Sequence, residues 1–174
     1  MTSKLKTDVL ETGSGSGTIA LNNQLSGMTA ESMPSGSVLK THYLKSPDQN
    51  QVTIAAGVTT VIDTLSVTTV GASSRLVIFF DTQQFVKGGA NSNPNFLFSI
   101  DGTDIPTNTE FGHHHWHIGY GSNAAREDHM GWYVSQTLSA GSHTIVQSTL
   151  AYNDTITVKH QGRYQRYMIQ EIKE

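Results

Sequence analysis

Half of the chain's eight histidines stand inside one five-residue run, His113-His114-His115-Trp116-His117. Imidazole nitrogen is a good ligand for Zn, Ni, Cu and Fe. In a strand, successive side chains alternate between faces. His113, His115 and His117 would then share one side as two overlapping His-x-His pairs, a spacing that suits a transition metal. The same run also reads as a polar loop or edge strand whose imidazoles are solvated. Glu110 and Asp128 are near in sequence, but nothing pairs either with these rings. No other cofactor is implied.

Trp116, Tyr120, Trp132 and Tyr133 cluster along the same stretch. Aromatic rings near loop tips stack on sugars or anchor protein interfaces. Trp116 and Tyr120 are the candidates for a surface binding role, whereas Trp132 falls in a β-rich run and is expected in the core. Asp101-Gly102-Thr103-Asp104 lacks the spaced ligands and distal Glu of an EF-hand loop, and Asp-Gly after a strand predicts a hairpin turn. Asn153-Asp154-Thr155 matches a glycosylation sequon in form but reads as a turn before a strand. Gly13-Ser14-Gly15-Ser16-Gly17 has no Lys-Ser/Thr and reads as a linker, not a phosphate loop. No Gly-x-Ser-x-Gly elbow occurs. No catalytic residue is assigned, and the chain is expected not to be an enzyme.

The elements that would position these residues are strands. Val38–Leu44, Thr59–Val67, Asn95–Asp101, Thr155–Lys159 and Tyr164–Lys173 are short β-rich runs between turn signals. In Asn95–Asp101, Phe96 and Phe98 share one face, and Leu97 and Ser99 the other. Arg75-Leu76-Val77-Ile78-Phe79-Phe80 is almost continuously apolar, the mark of a strand covered on both faces. Gly131–Leu138 and His143–Ala151 are expected to pair antiparallel across a short Gly-containing connection. No helical period persists, and Gly and Ser interrupt too often for long helices. About eight strands at this spacing predict an all-β fold, a jelly-roll β-sandwich.

Residues 1–36 differ in character. Leu10, Ile19, Leu21 and Leu25 are isolated among Gly, Ser, Thr and Asn. Such a segment buries too little apolar surface to fold alone. It is expected to be an extended N-terminal arm, with those four residues as anchors that dock on a partner. Residues 37–174 would form the sandwich. The net charge is -3 with charged residues at 14%, and no basic stripe occurs, so nucleic acid is not an expected partner. Cys is absent, which excludes disulfides and thiolate metal sites and fits assembly in a reducing cytoplasm. No apolar run approaches a membrane span and no signal peptide is visible, so no membrane association is expected.

Several stretches carry a resemblance. They are Ser3–Glu11, Gly15–Asn23, Pro34-Ser35-Gly36-Ser37-Val38-Leu39, Asp63-Thr64-Leu65-Ser66-Val67-Thr68, Ser74-Arg75-Leu76-Val77 and Gln170-Glu171-Ile172. In this order they are similar to a family of phage tail-fibre and virion-associated structural proteins. In that family a short arm leads into a jelly roll shaped like a tumour-necrosis-factor domain. The motifs are short and degenerate, and Gly112–Asp128 matches nothing in the family. The resemblance implies a virion protein, assembled in the host cytoplasm, that docks on other virion proteins through its arm and forms a homotrimer. It leaves open a receptor- or glycan-binding module at a fibre tip and a capsid decoration protein. Some phage fibres place His-x-His on a three-fold axis, where three chains give six nitrogens to one iron. The resemblance extends that possibility to His113, His115 and His117.

Overall fold

A computed structural model describes residues 29–86, 94–106, 113–120, 126–159 and 164–174, with backbone alone at 82–86, 113–120 and 126–129. Strand β1 runs Val38–Lys45, β2 Val52–Ile54, β3 Thr59–Thr69, β4 Ser74–Val86, β5 Pro94–Ile100, β6 Thr103–Asp104, β7 His113–Tyr120, β8 Arg126–Val134, β9 Gly141–Ala151, β10 Ile156–Val158 and β11 Arg166–Lys173. One 3-10 turn, Ala30–Ser32, precedes them. The described residues form an all-β sandwich, as the turn-punctuated pattern predicts.

Two antiparallel sheets face each other. In the first, β4 pairs on one side with β11 and then β10, and on the other with β8. Beyond these lie β1 against β11, β2 against β10, and β7 against β8. The second sheet has the order β3-β9-β5-β6. Period-two alternation sends Leu76, Ile78 and Phe80 of β4 into the core with Tyr167 and Ile169 of β11. Phe96 and Phe98 meet them from the second sheet, while Leu97 and Ser99 are only half-buried. The Phe98 and Tyr133 rings lie 4.5 Å apart, and those of Phe80 and Phe96 5.1 Å. The Tyr133 hydroxyl donates to the Phe96 carbonyl, so the one polar atom of a buried phenol has a partner.

The pairing of Gly131–Leu138 with His143–Ala151 is corrected. Strand β8 ends at Val134 and lies in the first sheet, whereas β9 lies in the second. Between them the chain arches across the sandwich: Ser135 N–H donates to the Leu76 carbonyl, and Leu138 bridges Ser74. Length alone does not separate such an arch from a hairpin. What decides is that Tyr133 and Ile145 both belong to the core and meet it from opposite sheets. Trp132 is likewise corrected. It is half-buried on the outer face, because its neighbour Tyr133 takes the inward position.

The Asp101-Gly102 turn is as expected. It joins β5 to β6, with φ of 50° and 80° at its two central residues. Residues 29–36, read from sequence as the end of an arm, are tied to the sandwich. Ala72 N–H donates to Glu31 Oε1 at 2.6 Å and Gly36 N–H to the Lys173 carbonyl at 2.8 Å.

Candidate interaction face

The alternation that fills the core sets a second row of side chains on the outside of the first sheet. The register places Tyr43 opposite Met168, Met168 opposite Phe79, and Phe79 opposite Trp132. The next rung inverts the chemistry, with Lys45, Arg166, Asp81 and Met130 in line. Together the two rungs line an open groove of about 920 Å³. Tyr43 is 78% exposed and Met130 43%. The Lys45 ammonium sits 4.4 Å from the centre of the Tyr164 ring, a cation–π contact at the groove's rim.

The outer face of the second sheet is a contrast within the same molecule. There Thr64, Ser66 and Thr68 of β3 lie beside Ser142 and Thr144 of β9, all exposed. An antiparallel sheet with one wet face carries such a polar row. On the first sheet, outer positions carry the aromatic and methionine rung instead.

Strand β7 extends the rungs by its backbone register. His114 stands opposite Trp132, and Trp116 opposite Met130. His113, His115 and His117 hold the alternate positions, opposite Tyr133, Gly131 and His129. The run is therefore a strand of the first sheet and not a loop. His129 is a further imidazole position that sequence reasoning missed, since only pairing between distant residues brings it beside His117. Tyr120 stands opposite Arg126, two positions along from Ile118 and away from the aromatic rung. Leu10, Ile19, Leu21 and Leu25 lie outside the described residues.

No protein-family profile matches the chain, and no curated protein matches it. Its chemistry rests on its own geometry.

Three buried polar clusters were not foreseen. Glu171, on the inward row of β11, is fully buried, and its carboxylate accepts from Val70 N–H at 2.9 Å, Gly71 N–H at 2.8 Å and Ser74 Oγ at 3.0 Å. It fastens the β3–β4 turn to the opposite strand. His143 on β9 has its Nδ1 2.7 Å from Asp101 Oδ2 and its Nε2 2.9 Å from the Ser139 carbonyl. Acceptors at both nitrogens suit the imidazolium. Burial pulls the His143 pKa down, but the Asp101 hydrogen bond, the Ser139 carbonyl and the charges of Asp101 and Glu171 carry it above the ordinary value. The His143 hydrogen bond and the Thr144 N–H hold the Asp101 pKa below its ordinary value. The third cluster joins Lys159 to Asp63, with Nζ 2.7 Å from Oδ1. Ser46 and Tyr167 hydroxyls each donate to Asp63 Oδ2 at 2.6 Å. Burial, followed by the Asp63 charge, pushes the Tyr167 phenol well above its ordinary pKa.

Proposed function

We propose that this chain is a non-enzymatic virion structural protein, a tail-fibre or tail-associated component. Its sandwich assembles with copies of itself, as a homotrimer, through the outer face of the first sheet. The observation that carries this reading is the aromatic and methionine rung of Tyr43, Met168, Phe79 and Trp132, set against the Ser/Thr row on the other sheet. A contiguous rung of aromatic and methionine side chains on a sheet's outer face marks a contact surface. A face of this kind suits a second copy, because aromatic rings bury a large area with few rotatable bonds and methionine adapts its shape to fill the gaps between them. The N-terminal arm, with Leu10, Ile19, Leu21 and Leu25 as anchors, docks on another virion protein.

The test is the mass of the full chain by light scattering at micromolar concentration. Three times the chain mass is expected for the native sequence. A monomer is expected for Tyr43→Asp combined with Met130→Asp, two exposed positions that do not serve the core. A native chain that stays monomeric overturns the assembly reading. The virion role is tested separately, by locating labelled protein in particles and by loss of incorporation when the four arm anchors become Asp.

A second reading has one observation in its favour. The charged rung of Lys45, Arg166 and Asp81 borders the Tyr43 and Trp132 rings, the pairing of stacking surface with polar groups that a glycan site uses. On that reading the groove faces a host glycan or receptor. The native chain would be monomeric through this face and would bind a glycan array.

A further inference from the structure

The ion pair between Lys159 and Asp63 is built by two separate backbone irregularities. Strand β3 carries a register shift between Val61 and Asp63, so that Ile62 and Asp63 are both buried where alternation allows one. Lys159, directly after β10, has a φ of 55°, in the left-handed region that non-glycine residues rarely adopt. Both departures converge on a single contact. The Lys159 side chain is 1% exposed and that of Asp63 0%. Backbone strain of this kind persists where the surroundings over-determine it, and it gathers at sites with a task.

We propose that Lys159 and Asp63 are a self-modification site, at which the side chains condense to an intramolecular isopeptide bond. The geometry supplies each requirement. Nζ lies 2.7 Å from Oδ1, yet the contact is not an aligned hydrogen bond. Proton transfer from the ammonium to Oδ1 turns a buried ion pair into a neutral amine and a carboxylic acid. The amine nitrogen then adds to Asp63 Cγ. Negative charge developing on Oδ2 meets the Ser46 and Tyr167 hydroxyls, which already donate to it at 2.6 Å. Asp48 Oδ1, 3.0 Å from Nζ and on a half-exposed side chain, accepts a second proton from the nitrogen and returns it to the departing Oδ1. The Nζ–Cγ bond forms, the Cγ–Oδ1 bond breaks, and one water leaves with the two protons. No oxidant, metal or co-reactant is needed. The product ties β3 in one sheet to the end of β10 in the other. Holding the pair in place, dry and in contact, is the source of the rate. This inference stands apart from the proposed virion role.

The test is the intact mass of the untagged full chain, freshly purified and again after days at room temperature. A mass lower than the sequence by one water is expected. Proteolysis should then yield a branched peptide joining the segments around Asp63 and Lys159. Lys159→Arg keeps the cation but cannot condense at a carboxyl, and it should have its full sequence mass. Asp63→Asn should lose one ammonia instead of one water and end at the native product's mass. A native chain that keeps its full mass at all times overturns the proposal. So does a water loss that maps to another residue, or one that persists in Lys159→Arg.

Discussion

Replacing Glu171 by Gln tests how the sandwich is fastened at its β3–β4 end. The substitution keeps the shape of the side chain and removes the charge and one acceptor oxygen. The native carboxylate accepts from Val70 N–H, Gly71 N–H and Ser74 Oγ at 2.8–3.0 Å, in a site closed to water. Hydrogen bonds to a charged group contribute roughly 1.5–3 kcal/mol against about 1 for neutral ones, and a buried donor left unpaired costs about 1–3 kcal/mol. Weakening these bonds and turning an amide N–H toward a backbone N–H should therefore cost about 4 kcal/mol. For a chain of this size that corresponds to a fall in Tm of about 8–16 °C. The assay is a calorimetric melt of the full chain at fixed protein concentration, so that any assembly contributes equally. Ser74→Ala, which removes one of the bonds, should lose no more than about a third as much. A Glu171→Gln shift under about 2 °C, or a larger loss for Ser74→Ala, would refute the reasoning.

Other expected outcomes follow from the same contacts. The raised pKa of His143 makes its contribution to stability complete below its unfolded value of about 6.5 and lost as pH rises through the folded value. Tm should therefore fall from mildly acidic to alkaline pH, and His143→Gln should flatten that slope; an unchanged slope would show that the imidazolium is not the species held. Asp101 has the opposite sign, since its lowered pKa makes its contribution present above its unfolded value and lost as pH falls through the folded one. Gly71→Ala puts a Cβ 2.8 Å from Leu39 Cδ1, the end of a half-buried side chain that can turn aside, and 3.3 Å from Glu171 Oε1, so it should cost about 1 kcal/mol, the low end for overpacking, read as a lower denaturation midpoint. Its effect should not add to that of Glu171→Gln, because the two share the carboxylate. Elemental analysis of untagged chain, purified without metal-affinity resin, decides between the two readings of His113, His115 and His117. A transition metal whose chelation lowers Tm assigns them as ligands. A metal-free chain indifferent to chelator removes the ligand reading, which is the outcome we expect.

Most strands were legible because their cause is local. Alternation in Asn95–Asp101 and the β-branched run at Thr59–Val67 set β5 and β3 within a residue or two. The Asp101-Gly102 turn follows from the two positive φ values that its residue types accept. The partners of those strands were not legible. Whether β8 and β9 lie side by side or face to face depends on which distant strand each meets, and the connecting residues fit both. The polar clusters share that origin. Glu171 meets the Val70-Gly71 turn from about a hundred residues away, and His143 meets Asp101 from 42. The bulge that turns Asp63 inward leaves no mark in residue type. It emerges from the register of β3 against β9.

The apolar run through β4 ties what was legible to the assembly. Leu76, Val77, Ile78, Phe79 and Phe80 predict a strand covered on both faces. Within one chain only half of that is met. Leu76, Ile78 and Phe80 reach the core, while Val77 and Phe79 point to the outer face and remain half-buried beside the groove. The outward positions of β3, an edge strand of the second sheet, are the polar Thr64, Ser66 and Thr68, whereas β4 carries apolar residues at both of its own. Retaining Phe79 there, between Met168 and Trp132, exposes a rung of apolar surface in the isolated chain. Burying one such ring is worth roughly 1.5–3 kcal/mol, so a rung of several can support association once the cost of bringing chains together is met. Phe79→Thr separates the two explanations. It should leave the core row of β4 intact and weaken self-association. If it instead lowers Tm while the oligomeric mass is unchanged, Phe79 serves the fold and the outer face is not where copies meet.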